Sequence, residues 1–248
     1  MHTKSGVIKM KDKICDIHAH IVPAVDDGAI DVNMAIKMLR SAYNQGTRNI
    51  VCTSHSDYYM DRYAKNLEIL RTWVIKENIN ITLYSGCEIY GNTYAVKDLV
   101  VCLDKKILPT INETKYVLIE FNPTTSADQI VVYIAKLHEY GYKTILAHTE
   151  RYPSLFEDDR WIGLLNDIGC LFQINAYSLT NENNMRRRGF ATKLLMEKHV
   201  SFIGSDAHRT THRPYVIKDG VDYIYKNCDI DYANDICYRN AERLLNIK

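Results

Sequence analysis

Apolar residues along the chain follow two spacings. One is helical: Ala35, Met38, Leu39 and Ala42 recur three to four residues apart and fall on one stripe. The other is a short dense run of aliphatic and β-branched residues, as in ICDIH (14–18) or YVLIEF (116–121), which suits a strand. Four times a helical stripe leads through a turn into such a run and then into a polar residue able to do chemistry, at 41–55, 136–148, 164–175 and 194–208. The turn residue is a glycine in three of these and His199 in the fourth. Asp31 is placed to cap the first helix, and Gly46 suits the left-handed position after it. These are αβ units.

With the runs at 14–18, 81–86 and 116–121, seven strands alternate with helical patterns near 31–44, 61–77, 92–103, 126–139, 154–167 and 182–198. Strands separated by helices of this length pair in parallel through right-handed crossovers. Two further helical stretches, near 215–228 and 231–246, close the chain. The five prolines are isolated and no Pro-, Gly- or Ser-rich linker divides the 248 residues. The expected fold class is therefore α/β in one domain over 14–248, at a length typical of a closed barrel. An open doubly wound sheet is the alternative that periodicity leaves standing. Residues 1–13 form an N-terminal extension, read as disordered, with Met10 as the alternative natural start.

Composition narrows the partners. Lys and Arg number 31 against 30 Asp and Glu, for a net charge of +1, so the cation excess of a nucleic-acid binder is missing. No apolar run approaches the roughly 18 residues of a membrane span, and the Lys-rich N-terminus lacks the apolar core of a secretory signal. Seven cysteines without a CxxC pair point to reduced thiols, and the protein is read as cytoplasmic.

Polar residues gather where the strands end. His18 and His20 end the first strand, His55 the second, Glu88 the third, Glu120 the fourth, His148 the fifth, Asn175 the sixth, and Asp206 with His208 the seventh. In a parallel barrel these ends share one face, on which active sites are built. In Asp16-Ile17-His18-Ala19-His20, alternate strand residues point the same way about 6.6 Å apart, so two imidazoles can close on one ion. Asp206-Ala207-His208 repeats the arrangement with a carboxylate. Mixed imidazole and carboxylate donors suit Mn²⁺, Zn²⁺ or Fe²⁺. His2, His138, His199 and His212 are read as background.

At these residues the sequence resembles the polymerase-and-histidinol-phosphatase (PHP) superfamily. More closely it is similar to the manganese-dependent tyrosine phosphatases of capsule and exopolysaccharide loci in Gram-positive bacteria. The matching segments are DIHAHIVPAVDDG (16–28), TSH (53–55), GCEIY (86–90), LIEF (118–121), AHTERY (147–152), SDAH (205–208), Arg213-Pro214 and NAERLL (240–245). The resemblance implies a distorted, TIM-like (β/α)₇ barrel holding three divalent ions, Mn²⁺ with Fe or Zn as alternatives. Its implied ligands are His18, His20, Asp27, His55, Glu88, Glu120, His148, Asp206 and His208. Arg151 and Arg213 match the family's catalytic, phosphate-binding arginines.

Three such ions carry +6 against −4 from Asp27, Glu88, Glu120 and Asp206, an excess that suits a dianionic phosphomonoester. The implied chemistry is a bridging water, its pKa lowered from about 15.7 toward about 7, attacking phosphorus in line. Arg151 and Arg213 would clamp the phosphoryl oxygens bidentately. The implied partner is the phosphotyrosine C-terminal tail of a bacterial tyrosine kinase at the inner membrane face, with no nucleic acid and no membrane insertion. One departure is Ser56-Asp57-Tyr58-Tyr59 after TSH, where relatives commonly carry a basic residue; the tyrosines are read as ordinary loop residues.

Three other readings compete. Cys237 and Arg243 match the C-x₅-R spacing of cysteine phosphatases, but the segment is helical and lacks the glycines that wrap a phosphate. Histidinol phosphate or another small phosphomonoester could serve the same metal site. From another class, the chain could be a non-catalytic module that binds a phosphotyrosine tail. Arg186-Arg187-Arg188 is the one concentrated basic run, read as a solvated helix face that could instead guide an acidic or phosphorylated tail.

Overall fold

The structure, a computed structural model, describes residues 13–247. The expectations for the N-terminal extension, apart from Lys13, lie outside the described residues, as does His2. Among the described residues eight strands alternate with helices, and every strand pair is parallel. They are β1 (Ile14–Ala19), β2 (Thr47–Cys52), β3 (Thr82–Ser85), β4 (Glu88–Tyr90), β5 (Tyr116–Glu120), β6 (Lys143–Leu146), β7 (Leu171–Asn175) and β8 (Val200–Gly204). The helices are α1 (Val32–Asn44), α2 (Met60–Lys76), α3 (Val96–Asp104), α4 (Ala127–Glu139), α5 (Pro153–Phe156), α6 (Arg160–Ile168), α7 (Met185–Met196), α8 (Lys218–Asn227), α9 (Ile230–Asn234) and α10 (Asn240–Leu245).

One strand more than expected appears because the third is broken. Gly86 and Cys87 separate β3 from β4, so Glu88 opens a new strand instead of trailing the old one. The break has a local cause. A Cβ on Gly86 would lie 2.6 Å from Val51 Cγ1, so the chain approaches β2 as only glycine can. Its N–H donates to the Tyr63 hydroxyl at 2.9 Å, and that hydroxyl donates to the Cys52 carbonyl at 2.7 Å. A side chain thus replaces the strand ladder at this point.

The sheet consequently forms in two parts, β1-β2-β3 and β4-β5-β6-β7-β8. They meet at two seams. At one, Ala19 bridges Ala207, with His20 N donating to Ala207 O and Asp206 N to His18 O at 2.9 and 2.8 Å. At the other, His55 bridges Glu88, with Ser56 N donating to Glu88 O and Glu88 N to Ser54 O at 3.0 and 3.1 Å. The two seams close the ring, giving the expected barrel of seven βα units once β3 and β4 are counted as one kinked strand.

Several helix signals act as the sequence reading anticipates. The Asp31 carboxylate accepts from Met34 N at 2.7 Å, and Gly46 takes φ +94° after α1. The stretch expected as one helix over 154–167 divides into α5 and α6. The closing segment runs from α9 through one π-helical turn (Asp235–Arg239) into α10. Cys237 is buried inside it, which removes the C-x₅-R reading as a phosphate loop.

Most apolar burial lies between the helices and the outer wall of the barrel. A second cluster joins Cys15, Ile17, Val51, Leu118, Ile145 and Phe202 with Leu244 and Leu245 of α10. Leu118 shares a strand face with Glu120 two residues on, because side chains alternate along a strand. That apolar plug therefore forms the floor beneath the polar residues at the strand ends.

Candidate metal centre

Glu88 stands at the middle of the strand-end face with four histidines around it. Its Oε1 lies 3.2 Å from His18 Nε2 and 2.9 Å from His148 Nε2. Its Oε2 lies 3.1 Å from both His20 Nε2 and His55 Nδ1. Glu120 adds oxygens 3.1 Å from His55 Nδ1 and 3.4 Å from His148 Nε2. Asp206 Oδ1 lies 3.5 and 3.6 Å from the Nε2 atoms of His18 and His20. Asp27 Oδ1 approaches His208 Nε2 at 3.4 Å and His55 Nε2 at 3.7 Å. All nine residues expected as ligands thus converge at one end of the barrel. His18, His20, Glu88, His148, Asp206 and His208 are buried, whereas the Asp27 side chain is 45% exposed at the mouth.

Three overlapping groups emerge: His20, Asp27, His55 and His208; His18, His20, Glu88 and Asp206; and His55, Glu88 and Glu120. Within each group the donor atoms lie within 4.8 Å of one another, close to the span set by a central ion about 2.0–2.2 Å from each ligand. His148 joins the third group through its contacts to Glu88 and Glu120.

The imidazole orientations carry the chemistry further. His148 N donates to Gln173 Oε1 at 2.8 Å, which identifies that atom as the amide oxygen. His18 Nδ1, 3.0 Å from the same oxygen, must then be the protonated nitrogen. His20 Nδ1 likewise donates to Asp26 Oδ2 at 2.7 Å. Neutral rings held this way turn two Nε2 lone pairs toward each other across 3.2 Å. Positive charge must sit among them, as protons or as metal ions. Glu88 Oε2, Asp206 Oδ1 and Asp27 Oδ1 are buried and accept no hydrogen bond, so acceptors stand ready for a cation. The residues fit divalent ions.

Electrostatics points the same way. Burial opposes charge on Glu88, but His18 and His55 hold its carboxyl well below the usual range. Asp206 is likewise buried, yet Arg151, His18 and Arg213 keep it ionised. Burial disfavours the imidazolium of His20, and the Asp26 and Glu88 carboxylates overcome it, raising that histidine well above its ordinary value. His148 rises to about 9 against burial and Arg151, through Glu120 and Glu88. Burial and the neighbouring His20 push His208 down to about 2, leaving it a neutral donor.

Backbone strain marks the same residues. His148, Asp206 and Arg213 adopt φ of +32°, +53° and +52°, a left-handed conformation that non-glycine residues take when their surroundings impose it. Arg213 NH2 lies 2.5 Å from Asp206 Oδ2 and its NH1 2.7 Å from His208 Nε2. Arg151 bonds the same Asp206 oxygen. Both expected phosphate-binding arginines therefore meet at Asp206, on the wall of a pocket of about 440 Å³ that Asn175, Ser205 and Tyr177 also line.

Three residues outside the expected set organise the centre. Asp26 orients His20 and accepts from His55 N at 3.0 Å. Gln173 holds His18 and His148 and passes its amide N–H to Asn175 Oδ1 at 2.9 Å. Asn175, expected only as a polar strand end, donates to Asp206 Oδ2 at 2.9 Å. Aspartate adjoining Asp27 was the one legible hint. Tyr58, read as an ordinary loop residue, sits with its ring centroid 5.9 Å from that of His55. Two of the background histidines have partners away from the cluster: His138 pairs with Thr144 Oγ1 and His199 with Asn166.

Comparison with known proteins accords with this geometry. Residues 14–246 match the family described as capsular polysaccharide synthesis, CpsB/CapC. The tyrosine-protein phosphatase CpsB of Streptococcus agalactiae serotype III (strain NEM316) is 31% identical over 240 residues, 93% of this chain and 97% of that protein. The tyrosine-protein phosphatase YwqE of Bacillus subtilis (strain 168) is 32% identical over 241 residues, 93% of this chain and 91% of its own. Crystal structures of YwqE and of CpsB from Streptococcus pneumoniae are described as those of metal-dependent tyrosine phosphatases; the fold matches with a TM-score of 0.84 at 30% identity over 94% of each chain. With the barrel, the strand-end cluster and nearly the whole length in agreement, the chain belongs to the CpsB/CapC capsular polysaccharide synthesis family.

Proposed function

We propose that this protein is a metal-dependent protein-tyrosine phosphatase acting on a bacterial tyrosine kinase that regulates capsular or exopolysaccharide synthesis. The observation that carries the reading is the meeting of Arg151 and Arg213 at Asp206, where a candidate metal group borders an open pocket. An anion entering there meets two guanidiniums on one side and the metal-ligating cluster on the other.

His18, His20, Asp27, His55, Glu88, Glu120, His148, Asp206 and His208 would hold three divalent ions, Mn²⁺ in the first instance. Bound ions supply Lewis-acid charge and activate water. Arg151 and Arg213 hold the phosphoryl oxygens and neutralise charge that grows during transfer, which is worth more in a site shielded from water. Asp26 and Gln173 fix the tautomers of His20 and His18, so the donor atoms need no reorientation. The phenolate of tyrosine, with an ordinary pKa near 10, leaves with less protonation than an alkoxide requires.

The substrate is the phosphorylated C-terminal tail of the kinase, met in the cytoplasm at the inner membrane face. Cys15, Cys52, Cys87, Cys102, Cys170 and Cys228 are thiols outside any disulfide, as a reducing compartment allows. Among the described residues no helix is long and apolar enough to cross a membrane.

The test is turnover of a phosphotyrosine peptide by protein reloaded with Mn²⁺, set beside histidinol phosphate. Replacing His55 and His148 together by alanine should abolish turnover while circular dichroism stays unchanged. Arg151→Ala or Arg213→Ala should lower kcat/KM by about 10²-fold or more. Full activity in the double variant defeats the metal assignment. Preference for histidinol phosphate selects the small-substrate reading, and tight peptide binding without turnover selects the non-catalytic one.

A further inference from the structure

Helix α7 opens with Arg186-Arg187-Arg188, and the fold gives neighbouring cations different surroundings. Arg186 donates to Glu157 Oε1 at 3.0 Å and its guanidinium lies 5.4 Å from the Phe156 ring. Arg187 follows about 100° further round the helix. There it lines the same pocket as Arg151 and Arg213. Its backbone N–H donates to the side-chain oxygen of Asn184 at 3.1 Å, fixing the helix start and with it the root of the side chain. Arg187 is exposed, and among the described residues its guanidinium has no carboxylate partner.

Charge in this pocket is lopsided. Its lining carries Arg151, Arg187 and Arg213 against one acid, Asp206. Asp206 is already paired with Arg151 and Arg213. Those two arginines also serve the phosphoryl group in the reading above, so Arg187 is a cation without an assigned anion. The other lining groups near the helix start, Asn181, Asn184 and Tyr177, are polar and uncharged and supply no competing carboxylate. A peptide in extended form advances about 3.3 Å per residue. Arg187 stands on a different element from Arg151 and Arg213 but on the wall of the same pocket, so a residue close to the phosphotyrosine, and not the phosphotyrosine itself, is the one placed to meet it.

We propose that Arg187 forms a subsite for a second anionic group on the phosphopeptide, within a few residues of the phosphotyrosine. The group is a side-chain carboxylate or a second phosphate, since a guanidinium recognises both. This inference rests on the phosphotyrosine reading of the adjoining site. Because Arg187 is exposed, its contribution is modest, about two- to fivefold in kcat/KM, and salt screens it.

The experiment uses Mn²⁺-loaded full-length protein and three phosphotyrosine peptides that differ only beside the phosphotyrosine, with alanines, glutamates or a second phosphotyrosine. Initial rates at low and high salt give kcat and KM separately. The expected result is a preference for the anion-flanked peptides of about two- to fivefold at low salt, carried by KM and lost at high salt. In Arg187→Ala that ratio falls to about one, whereas in Arg188→Ala, whose side chain does not line the pocket, it persists. The glutamate and diphosphorylated arms show which anion is preferred. A wild-type ratio of one, or an undiminished ratio in Arg187→Ala, overturns the subsite while leaving phosphotyrosine turnover intact. No turnover of any of the three peptides overturns the phosphotyrosine reading, and the subsite with it.

Discussion

The Asp26 carboxylate accepts the Nδ1 proton of His20 at 2.7 Å and thereby turns the Nε2 atom of that ring into the cluster. The same oxygen accepts from the backbone of His55, so one carboxylate sets the position of two candidate ligands. Asp26→Asn should weaken Mn²⁺ binding about 10- to 100-fold, the usual cost of losing an orienting partner. Competition with a metal-sensitive chelator measures it. Unchanged affinity would mean that His20 needs no orientation from this side.

Metal uptake should displace protons. Imidazoles must be neutral to ligate, yet in the metal-free protein the carboxylates favour protonated His20 and His55, and raise His148 to about 9. Below that pH the protons compete with the ions, so apparent Mn²⁺ affinity should climb as pH rises from 6.5 to about 8.5. Calorimetry in two buffers of different ionisation enthalpy counts the protons released. An affinity flat across this range would contradict the proton competition.

Two glycine substitutions should act in opposite directions. A Cβ on Gly204 would lie 2.6 Å from His18 Cβ and 2.8 Å from Gln173 Nε2, so Gly204→Ala should cost about 1–3 kcal/mol of stability and loosen metal binding. Gly163, inside α6, has nothing within 4 Å of the same atom. There alanine should stabilise by about 0.5–1 kcal/mol through helix propensity. Urea unfolding of chelator-treated protein compares the two.

Thiol reagents should leave catalysis untouched. Burial pushes Cys15 and Cys170 up to about 12 and raises Cys52 and Cys87 as well. At pH 8 a thiol at about 12 is thiolate in only about one molecule in 10⁴. Native alkylation should therefore be confined to the half-buried Cys102 and Cys228, with phosphatase turnover retained. Loss of turnover on modification of Cys237 would revive the cysteine mechanism.

Strand ends were readable because chemistry there interrupts an apolar run, which is how His18, His55 and His148 stand out. What supports them was not readable. Gln173 is one polar residue inside a strand, and only the meeting of β1, β6 and β7 gives it His18 and His148 as partners. Asp26 differs from Asp27 solely in which way the loop turns. The run ITLYSGCEIY reads as continuous because the cause of its break, Tyr63, lies 23 residues before Gly86, on α2. Arg187 could not be told from Arg186 by composition, since one residue of helical rotation decides which of them reaches the pocket.

Each barrel seam is held by a single backbone bridge, at Ala19 with Ala207 and at His55 with Glu88. Each candidate metal group takes donors from both sides of those seams: His18, His20, Asp27 and His55 come from the strands and loops of the first sheet, and Glu88, Glu120, Asp206 and His208 from those of the second. Cations held by these donors would buckle the two half-shells across the seams, so metal loading should add stability to a barrel that the backbone bridges already close.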